Sequence, residues 1–451
     1  MKTEKLITAI LLTLLINYTH AQRVSVSGTK FLVNGKEIIM NGANTPWNKW
    51  NDFGGGYVSS WWDAEFQRIK NAGGNSTRIW ISCNGDVGLK ISSDGTVTGA
   101  TNSFWSHLED MFRLAEKNKI YIKATLISFD HFKNSYSTYQ SWRNMVLSNE
   151  KVESFIENYV NPFVSKYKNN PYLWSIDVCN EIEWVNQNAE CGNIPWARLQ
   201  YLVARTASAV HDSSQVLVTL GSAAIKWNSP KYEGNFWSDA NLKAQYNKPN
   251  AKLDFYSPHF YGWVVKWFGN FAVDKSPADY GINDRPCVIG ENPAKGVYND
   301  AANPTLVVPA SEMFIGAYNK GWKGLMPWTS NGVDANGNLN DFKDGLKAFK
   351  DAHPELIDPS VVSGMAPQLN QKKYALIENI YKVQGNKQMA VVISDYENVI
   401  LRLSDTMGRI VFQKKAESSN TLFPTENLTS GVYILAANKK GVIETRKFIL
   451  Y

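Results

Sequence analysis

The sequence predicts an α/β protein, a (β/α)8 barrel that is followed by a small all-β domain. Two observations predict the barrel. Short apolar runs alternate eight times with stretches of helical character, and such alternation is typical of a parallel sheet covered by helices. The short runs are apolar at nearly every position, as expected of strands that are buried on both faces. After residue 373, closely spaced β runs separated by turn residues predict the all-β domain.

Eight predicted strands and eight predicted helical segments are the number that closes a TIM barrel. In the second helix, Leu108, Met111, Phe112 and Ala115 recur at steps of three and four, which indicates a face packed on the core. The strands are expected at 37–41, 76–82, 120–128, 173–178, 216–221, 253–258, 286–290 and 323–327. The helices are expected at 59–72, 104–118, 150–168, 195–211, 239–245, 277–280, 311–320 and 342–352.

The amino-terminal residues predict a signal peptide. Lys2 and Lys5 precede an apolar run at 6–16 that is too short for a stable membrane anchor, and the small residue Ala21 follows it. We therefore expect cleavage after residue 21 and export of the remaining chain. No later stretch is apolar enough over a sufficient length to predict a membrane span.

The rest of the chain divides into three predicted parts. Its first residues, 23–36, predict a β-hairpin with Asn34-Gly35 as the turn. The alternation of strands and helices ends near residue 353, and the polar stretch that follows contains Gly364 and Pro367 without periodicity, as in a linker. The sequence thus predicts a signal peptide at 1–21, a barrel domain at 22–356, a linker at 357–373 and a β-rich domain at 374–451.

The composition limits the class of partner. The 451 residues carry a formal net charge of +6, from 47 basic and 41 acidic residues, and no long basic run is present. This mild excess disfavours nucleic acid. The chain contains 16 Trp and 21 Tyr. Because flat aromatic rings bury the apolar C–H faces of sugars well, this abundance points to carbohydrate.

Four cysteines allow disulfides in an exported chain. Cys179 and Cys287 lie within predicted strands, where we expect buried free thiols. Cys83 and Cys191 lie in loops predicted at the same face of the barrel, so they are the pair expected if a disulfide forms. The sequence has no CxxC spacing and no His-rich stretch, and it predicts no metal and no cofactor.

Two glutamates follow predicted strands. Glu181, with Asn180 before it, ends the fourth strand, and Glu291 ends the seventh, after Gly290, which we expect to let the backbone turn. In a parallel barrel the carboxyl ends of all strands meet at one mouth. Hydrolysis of a glycosidic bond requires a pair of carboxyl groups. Either glutamate alone is compatible with a simple strand cap, but the two together predict a catalytic site.

Further side chains are expected at the same level. Arg78 lies inside the second strand, where an unpaired guanidinium would be unstable, so we expect it to pair with the carboxylate of strand seven. His259 and Tyr261 follow strand six and point the same way, so that Tyr261 can hydrogen-bond to Glu291. Trp328 ends strand eight, and its ring is expected to form the floor for one sugar.

The loops at the predicted active face contribute aromatic rings. Trp47 and Trp263 are expected to stack on sugars in a long cleft. His131 follows strand three beside Asp130, and the sequence leaves open whether it lines the site or is an ordinary loop residue. The loop tryptophans are Trp47, Trp50, Trp184, Trp227, Trp237, Trp263 and Trp267.

Taken in chain order, these motifs resemble glycoside hydrolase family 5, a family of clan A with catalytic glutamates on strands four and seven. The resemblance covers about residues 30–352. It rests on Arg78, Asn180-Glu181, His259-x-Tyr261, Glu291 and Trp328.

The resemblance implies a retaining mechanism without a metal. Glu181 would be the general acid and base, with a pKa raised by nearby negative charge. Glu291 would be the nucleophile, kept ionised by Arg78 and Tyr261. The two carboxyl groups would lie about 5–5.5 Å apart, and Asn180 would bind the 2-hydroxyl of the sugar that is attacked.

The carboxyl-terminal domain resembles the sorting domain of the type IX secretion system. The resemblance rests on LSDTMGRIV at 403–411, LTSGVYIL at 428–435 and KFILY at 447–451. It implies the type IX secretion machinery as a partner and passage through the periplasm of a Gram-negative bacterium to the cell surface or the medium. A carbohydrate-binding module is the competing interpretation, and the lack of Trp in this domain speaks against it.

The hypothesis that follows is an exported, monomeric endo-β-1,4-glycanase of plant cell-wall polysaccharide. A β-1,4-glucan is the first expectation, which would make the protein a cellulase or endoglucanase, and endo-β-1,4-mannanase is the alternative. A long loop at 227–250 leaves exo action open. A non-catalytic glycan-binding surface protein is an alternative of another class, and a purely structural surface protein is a third. The presence of both Glu181 and Glu291 disfavours the non-catalytic binding protein.

Overall fold

The computed structural model describes residues 23–300, 303–361, 377–382, 388–394, 396–405, 409–439 and 442–450. These residues belong to two compact units, whose boundary falls between Ser363 and Gly364. The predicted signal peptide and most of the predicted linker lie outside the described residues. Within the described ranges, no helix combines the length and the apolar character needed to cross a membrane.

The first unit contains the predicted barrel of eight parallel strands. Seven strands form one continuous sheet. Residues 287–291 close it, because Cys287 bridges to Tyr256 on one side and Ile289 bridges to Leu325 on the other. We count these residues as barrel strand seven. The other barrel strands, one to six and eight in chain order, are Met40–Asn44, Ser76–Trp80, Tyr121–Ser128, Leu173–Asn180, Leu217–Ser222, Ser257–Pro258 and Gly324–Leu325.

The helices of the first unit lie close to their predicted positions. In Asn102–Asn118, the Thr101 side chain accepts a hydrogen bond from the Phe104 backbone N–H, and the predicted apolar stripe is buried. The predicted segment at 150–168 begins at Asn149 and includes one π-helical turn. The covering segments are Ser59–Ala72, Asn102–Asn118, Asn149–Phe155, Ile156–Val160, Asn161–Tyr167, Trp196–Ser213, Asp239–Gln245, Pro277–Tyr280, Ala310–Asn319 and Leu339–Ala352.

The start of the barrel differs from the prediction. Residues 36–38 pair with Lys30–Val33 as the third strand of a small antiparallel sheet, and the barrel begins only at Met40. The predicted turn is present, with φ of 55° at Asn34 and 75° at Gly35. The strands Lys36–Ile38 and Met40–Asn44 follow each other so closely that the apolar pattern at 37–41 resembles a single strand. The sequence therefore could not show where one sheet ends and the other begins.

Several short elements within the loops were not predicted. Short helices lie in the loops that follow barrel strands three, four and six, and a β-hairpin lies in the loop that follows strand two. These loops build the mouth of the barrel. The elements are the helices Tyr139–Leu147, Glu183–Gln187, Gly262–Phe268 and Pro354–Ile357, and the hairpin strands Leu89–Ile91, Val97–Ala100, Val297–Asp300 and Asn303–Val307.

The second unit contains one antiparallel sheet of three strands and one of four. Alternate residues such as Val399, Leu401 and Leu403 are buried, and they form a separate apolar core. The β-rich prediction is confirmed. The strands are Ile377–Lys382, Gln388–Ile393, Val399–Asp405, Ile410–Lys415, Asn420–Pro424, Gly431–Lys439 and Val442–Leu450.

Cys83 and Cys191, the pair expected if a disulfide forms, are not bonded to each other. All four cysteines are buried free thiols, as expected for Cys179 and Cys287. Cys83 packs in a small cluster with Trp80 and Trp328, whereas Cys191 belongs to the main apolar core. Location in two loops of one face was therefore not enough to bring these sulfurs together.

Candidate active site

Glu181 projects from the carboxyl end of barrel strand four in an unusual backbone conformation. Its φ is 49°, in the left-handed region that residues with a side chain seldom adopt. The conformation is held from both sides, because the Glu181 N–H donates to the Gly221 carbonyl at 2.7 Å and the Glu181 carbonyl accepts from the Trp184 N–H at 3.1 Å. Backbone strain of this kind concentrates at functional sites.

Glu181 and Glu291 approach each other across the barrel mouth, with His259 between them. His259 Nδ1 lies 2.8 Å from Glu181 Oε1 and 3.5 Å from Glu291 Oε2. One side-chain oxygen from each glutamate and one nitrogen of His259 lie within 4.8 Å of one another. This set is also the group of described residues that could hold a metal ion. The carboxyl groups are thus as close as a shared reaction centre requires.

The two carboxyl groups have different partners. Glu291 forms an ion pair with Arg78 Nη1 at 2.6 Å and accepts a hydrogen bond from the Tyr261 hydroxyl at 2.8 Å. Glu181 accepts from the Trp184 indole N–H at 2.8 Å, and no cation of the described residues lies within ion-pair distance unless His259 is protonated. Two donors that favour a carboxylate therefore surround Glu291, and Glu181 is left with a weaker set.

Burial sets the charge states of this group. It raises the pKa of Glu181 to about 7, against the indole of Trp184 and the charge of Arg78. Burial also raises the pKa of Glu291, where the charge of Arg78 and the Tyr261 hydroxyl act in the opposite direction. Burial lowers the pKa of His259 to about 3, so its ring is neutral near pH 7. Nearby negative charge was expected to raise the Glu181 pKa, but the cause is desolvation.

Arg78 is the centre of a buried polar network. Its guanidinium donates from Nε to Asp177 at 2.8 Å, from Nη1 to Asn44 at 3.0 Å and from Nη2 to Asn180 at 2.9 Å, in addition to the pair with Glu291. The side chain is completely buried. The planar fork of arginine suits four acceptors at fixed angles. Arg78 thus links barrel strands one, two, four and seven.

Two glycines make room for this network. A Cβ atom at Gly221 would lie 2.7 Å from Arg78 Nη2 and 2.9 Å from Asp177 Oδ2. A Cβ atom at Gly290 would lie 2.6 Å from the hydroxyl of Ser257. Gly290 was expected to allow a backbone turn, but its φ is not in the left-handed region. The close approach of neighbouring side chains requires glycine there.

The site opens into a cavity of about 370 Å³. Trp47, Trp263 and Trp328 line it, as predicted. Trp227 and Trp237 do not, because both are buried in the core, and Trp267 is 66% exposed outside the cavity. The lining residues are Trp47, Trp50, Trp80, Phe129, Asp130, Asn180, Glu181, Trp184, Ala223, Tyr261, Trp263, Glu291 and Trp328.

His131 does not line the cavity. It is fully buried, its Nε2 lies 3.0 Å from the Ser82 hydroxyl, its Nδ1 lies 3.1 Å from the Ser128 carbonyl, and its ring meets the edge of Trp142. Its neighbour Asp130 lines the cavity instead. The structure thus places His131 in the packing of the strand-three loop.

Several residues of the site were missed from the sequence. Asn44, Asp177, Trp80 and Asp130 were not assigned to it. Asp177 could have been found, because an acidic residue inside an otherwise apolar strand must have a buried partner. The pairing of Asn44 with Arg78 depends on the closure of the barrel, so no local pattern reveals it.

Comparisons with known proteins agree with the fold. Residues 32–301 match the family model described as cellulase (glycosyl hydrolase family 5). Residues 383–451 match a secretion system C-terminal sorting domain. The sorting domain implies that the protein is secreted or displayed on the cell surface, with the secretion machinery as a partner.

Two relatives are mannan endo-1,4-β-mannosidases. The protein from Cryptopygus antarcticus is 25% identical over an alignment of 355 positions, and the match covers 72% of this chain and 90% of the relative. The protein from Mytilus edulis is 28% identical over an alignment of 343 positions, and the match covers 70% of this chain and 90% of the relative.

Solved structures with the same fold include two mannanases. The β-mannanase of the blue mussel Mytilus edulis superposes with a TM-score of 0.63 at 26% identity, over 73% of this chain and 97% of that one. The endo-1,4-β-mannanase of Eisenia fetida also superposes with a TM-score of 0.63. Its sequence is 24% identical, and the match covers 73% of this chain and 95% of that one. The family match spans more than half of the sequence, so the chain belongs to glycosyl hydrolase family 5 and is a glycoside hydrolase.

Proposed function

We propose that this hydrolase is a retaining endo-β-1,4-mannanase that cleaves the backbone of β-mannan. The observation that carries the mechanism is the close approach of Glu181 and Glu291, whose nearest oxygens lie within 4.8 Å. Retaining enzymes hold their carboxyl groups about 5–5.5 Å apart, whereas inverting enzymes leave about 6.5–9.5 Å for a water molecule. The relatives favour mannan over the β-1,4-glucan that was expected first.

In the first step, Glu291 attacks the anomeric carbon and Glu181 donates a proton to the glycosidic oxygen. The bond from the anomeric carbon to that oxygen breaks, and a glycosyl ester on Glu291 forms. Arg78 and Tyr261 hold Glu291 in place for attack. The raised pKa of Glu181 keeps its proton available near pH 7.

In the second step, Glu181 acts as a base. It removes a proton from water, the water oxygen attacks the anomeric carbon, and the ester bond to Glu291 breaks. Neutral His259, beside both carboxyl groups, can donate from Nδ1 to Glu181 once that residue is ionised. Asn180 is the proposed ligand of the sugar 2-hydroxyl, and its position is set by the bond from Arg78.

The arrangement of tryptophans supports binding of a continuous chain. Trp47 and Trp50 follow barrel strand one, with ring centroids 4.6 Å apart, and Trp184 and Trp263 follow strands four and six on the other side of the mouth, 6.1 Å apart. Trp328 follows strand eight and contacts Trp47, with ring centroids 5.9 Å apart. A cleft with stacking rings on both sides of the reaction centre favours endo action.

The remaining assignments belong to the same proposal. We propose that the protein works as a monomer, without a cofactor, after passage through the periplasm of a Gram-negative bacterium. The domain limits proposed are a signal peptide at 1–21, a catalytic domain at 22–356, a linker at 357–373 and a sorting domain at 374–451. The two compact units divide at residue 363 and support a boundary within the linker.

The test is release of reducing sugar from galactomannan, glucomannan, carboxymethylcellulose and xylan. The mature chain is compared with Glu291→Gln, which keeps the shape of the side chain and removes the nucleophile. We expect hydrolysis of the two mannans, little on carboxymethylcellulose, and a loss of at least about 10⁴-fold in the variant. Preferred hydrolysis of carboxymethylcellulose would contradict the mannan assignment. Unchanged activity of Glu291→Gln would contradict the mechanism.

A further inference from the structure

Asp130 is a third carboxyl group in the cleft. It follows barrel strand three, in a 3-10 turn at Phe129–Phe132. It lines the same cavity as Glu181 and Glu291, yet its side chain is nine-tenths buried. Neither glycosidic bond cleavage as described above nor the packing of the core uses this group.

Within the described part of the chain, a neighbouring residue holds one of its two oxygens. The Ser128 hydroxyl donates to Asp130 Oδ2 at 2.7 Å. Among the residues that the structure describes, no other residue donates a hydrogen bond to Oδ1, and no Lys, Arg or His nitrogen forms an ion pair with Asp130. Burial raises the pKa of this carboxyl to about 6. The group is therefore ionised at neutral pH and incompletely satisfied.

Other buried carboxylates around the barrel mouth are different. Asp52 accepts backbone N–H groups on both oxygens, from Asn48 at 2.6 Å and from Lys49 at 3.2 Å. Glu183 accepts from the hydroxyl of Ser222 and the indole of Trp237 on one oxygen, and from the Ala223 N–H on the other. Asp177 likewise has both oxygens bonded, to the backbone of Gly221 and to Arg78. These carboxylates are structural, and their hydrogen-bonding capacity is used within the fold.

An incompletely bonded, buried carboxylate is unfavourable in the free protein, because it has lost part of its hydration without a replacement. A ligand that brings a donor to the open oxygen recovers this cost. Sugar hydroxyls are such donors, and a hydrogen bond to an ionised acceptor is stronger than one between neutral groups. The cleft already presents stacking rings to a glycan at this level.

We propose that Asp130 is a substrate-binding residue, whose Oδ1 accepts a hydrogen bond from a hydroxyl of the sugar held beside Glu181. The proposal rests on the proposed function, because the ligand is the glycan that the enzyme hydrolyses. Ser128 positions the carboxylate by holding its other oxygen. The contact selects for a backbone that presents a hydroxyl at this point, since a sugar without one would leave the carboxylate unpaired.

Calorimetric titration of mannopentaose tests the contact in an inactive background. Glu291→Gln is compared with the double variant Glu291→Gln/Asp130→Asn. In the variant, the Ser128 hydroxyl is expected to bond the amide oxygen, so the open position becomes an NH2 group. We expect Kd to rise by about 10-fold to 100-fold, as for the loss of a charge-assisted hydrogen bond. Asp130→Ser provides the same comparison if the amide variant does not fold.

The matched control is Asp52→Asn in the same background, a buried carboxyl that the fold satisfies on both oxygens. We expect its Kd to equal that of Glu291→Gln even if its thermal unfolding temperature falls. A Kd for Glu291→Gln/Asp130→Asn within twofold of the background would overturn the proposal. So would a shifted pH profile of Asp130→Asn with unchanged KM, because Asp130 would then act only on the charge of Glu181.

The mannan assignment and the role of Asp130 are tested by different measurements. If the wild type hydrolyses cellulose derivatives but not mannan, the mannan assignment fails, and cellopentaose replaces mannopentaose in the same titrations. The substrate-binding role of Asp130 then stands or falls on its own Kd comparison.

Discussion

The floor of the cleft and its walls are built in different ways. On the floor, Arg78 and Glu291 come from barrel strands, are buried, and reach their partners through hydrogen bonds of 2.6–3.0 Å. On the walls, rings such as Trp50 come from loops, and Trp50 is 37% exposed. Its contacts are with other rings, Trp47 at 4.6 Å and Tyr136 at 6.1 Å.

The difference predicts different responses to substitution. In the floor, one group holds several others, so the loss of one side chain displaces its neighbours, and effects are not additive. In the walls, each ring contributes its own contact area, so losses are smaller and largely independent. Substitutions in the floor should therefore reduce activity more than substitutions in the walls.

The largest effect is expected for Arg78→Lys. A lysine keeps the positive charge but cannot reach Asp177, Asn44, Asn180 and Glu291 with one ammonium group. We expect kcat on mannan to fall by about 10³-fold, because both the nucleophile and Asn180 lose their positions. Steady-state kinetics and thermal unfolding measure the two consequences. A variant with near-normal kcat would mean that the charge alone matters and that the floor is not a geometric network.

The second prediction concerns pH. Glu181 must be protonated to act as the acid, and its pKa is about 7. We therefore expect kcat/KM to decline about tenfold per pH unit above pH 7. A profile that is flat to pH 9 would contradict the assignment of Glu181 as the acid.

Stability offers an independent check on Glu181. Folding raises the pKa of this carboxyl from 4.5 to about 7, so the folded state favours the protonated form. The stability that this form contributes is lost as the pH rises through about 7. Glu181→Gln has no proton to lose. We expect the thermal unfolding temperature of Glu181→Gln, relative to that of the wild type, to increase between pH 5 and pH 8. An unchanged difference over that range would show that the carboxyl is not protonated in the fold.

A smaller effect is expected for Tyr261→Phe. The Tyr261 hydroxyl donates to Glu291 and favours its ionised form. Its loss raises the pKa of Glu291 further, so the acidic limb of the pH profile should move to higher pH, with kcat about tenfold lower. Tyr159→Phe is the control, because that hydroxyl donates only to the Leu126 carbonyl in the core. An acidic limb that moves equally in both variants would exclude a specific role for Tyr261.

The smallest effect is expected in the walls. Trp50→Ala should raise KM for mannopentaose by about fivefold and leave kcat nearly unchanged, because one stacking contact outside the reaction centre is lost. Trp267→Ala is the matched control, since that ring is exposed but does not line the cavity. A large fall in kcat for Trp50→Ala would show that the walls also position the reacting groups.

The barrel, the β-rich second unit and the positions of Glu181 and Glu291 could be predicted from the amino-acid sequence. Buried strands leave recognisable apolar runs, and parallel strands bring their carboxyl ends to one mouth wherever they lie in the chain. The exposed turn at Asn34-Gly35 was predicted for a similar reason, since its backbone conformation depends on those residues alone.

The contacts between side chains, in contrast, depend on the tertiary structure. The place of Asp130 in the cleft and of His131 in the core follows from a single 3-10 turn whose direction no local pattern specifies. The free state of Cys83 and Cys191 and the burial of Trp227 likewise depend on how loops pack on one another. Loop packing is set by contacts between residues far apart in sequence, and these contacts exist only once the barrel has closed.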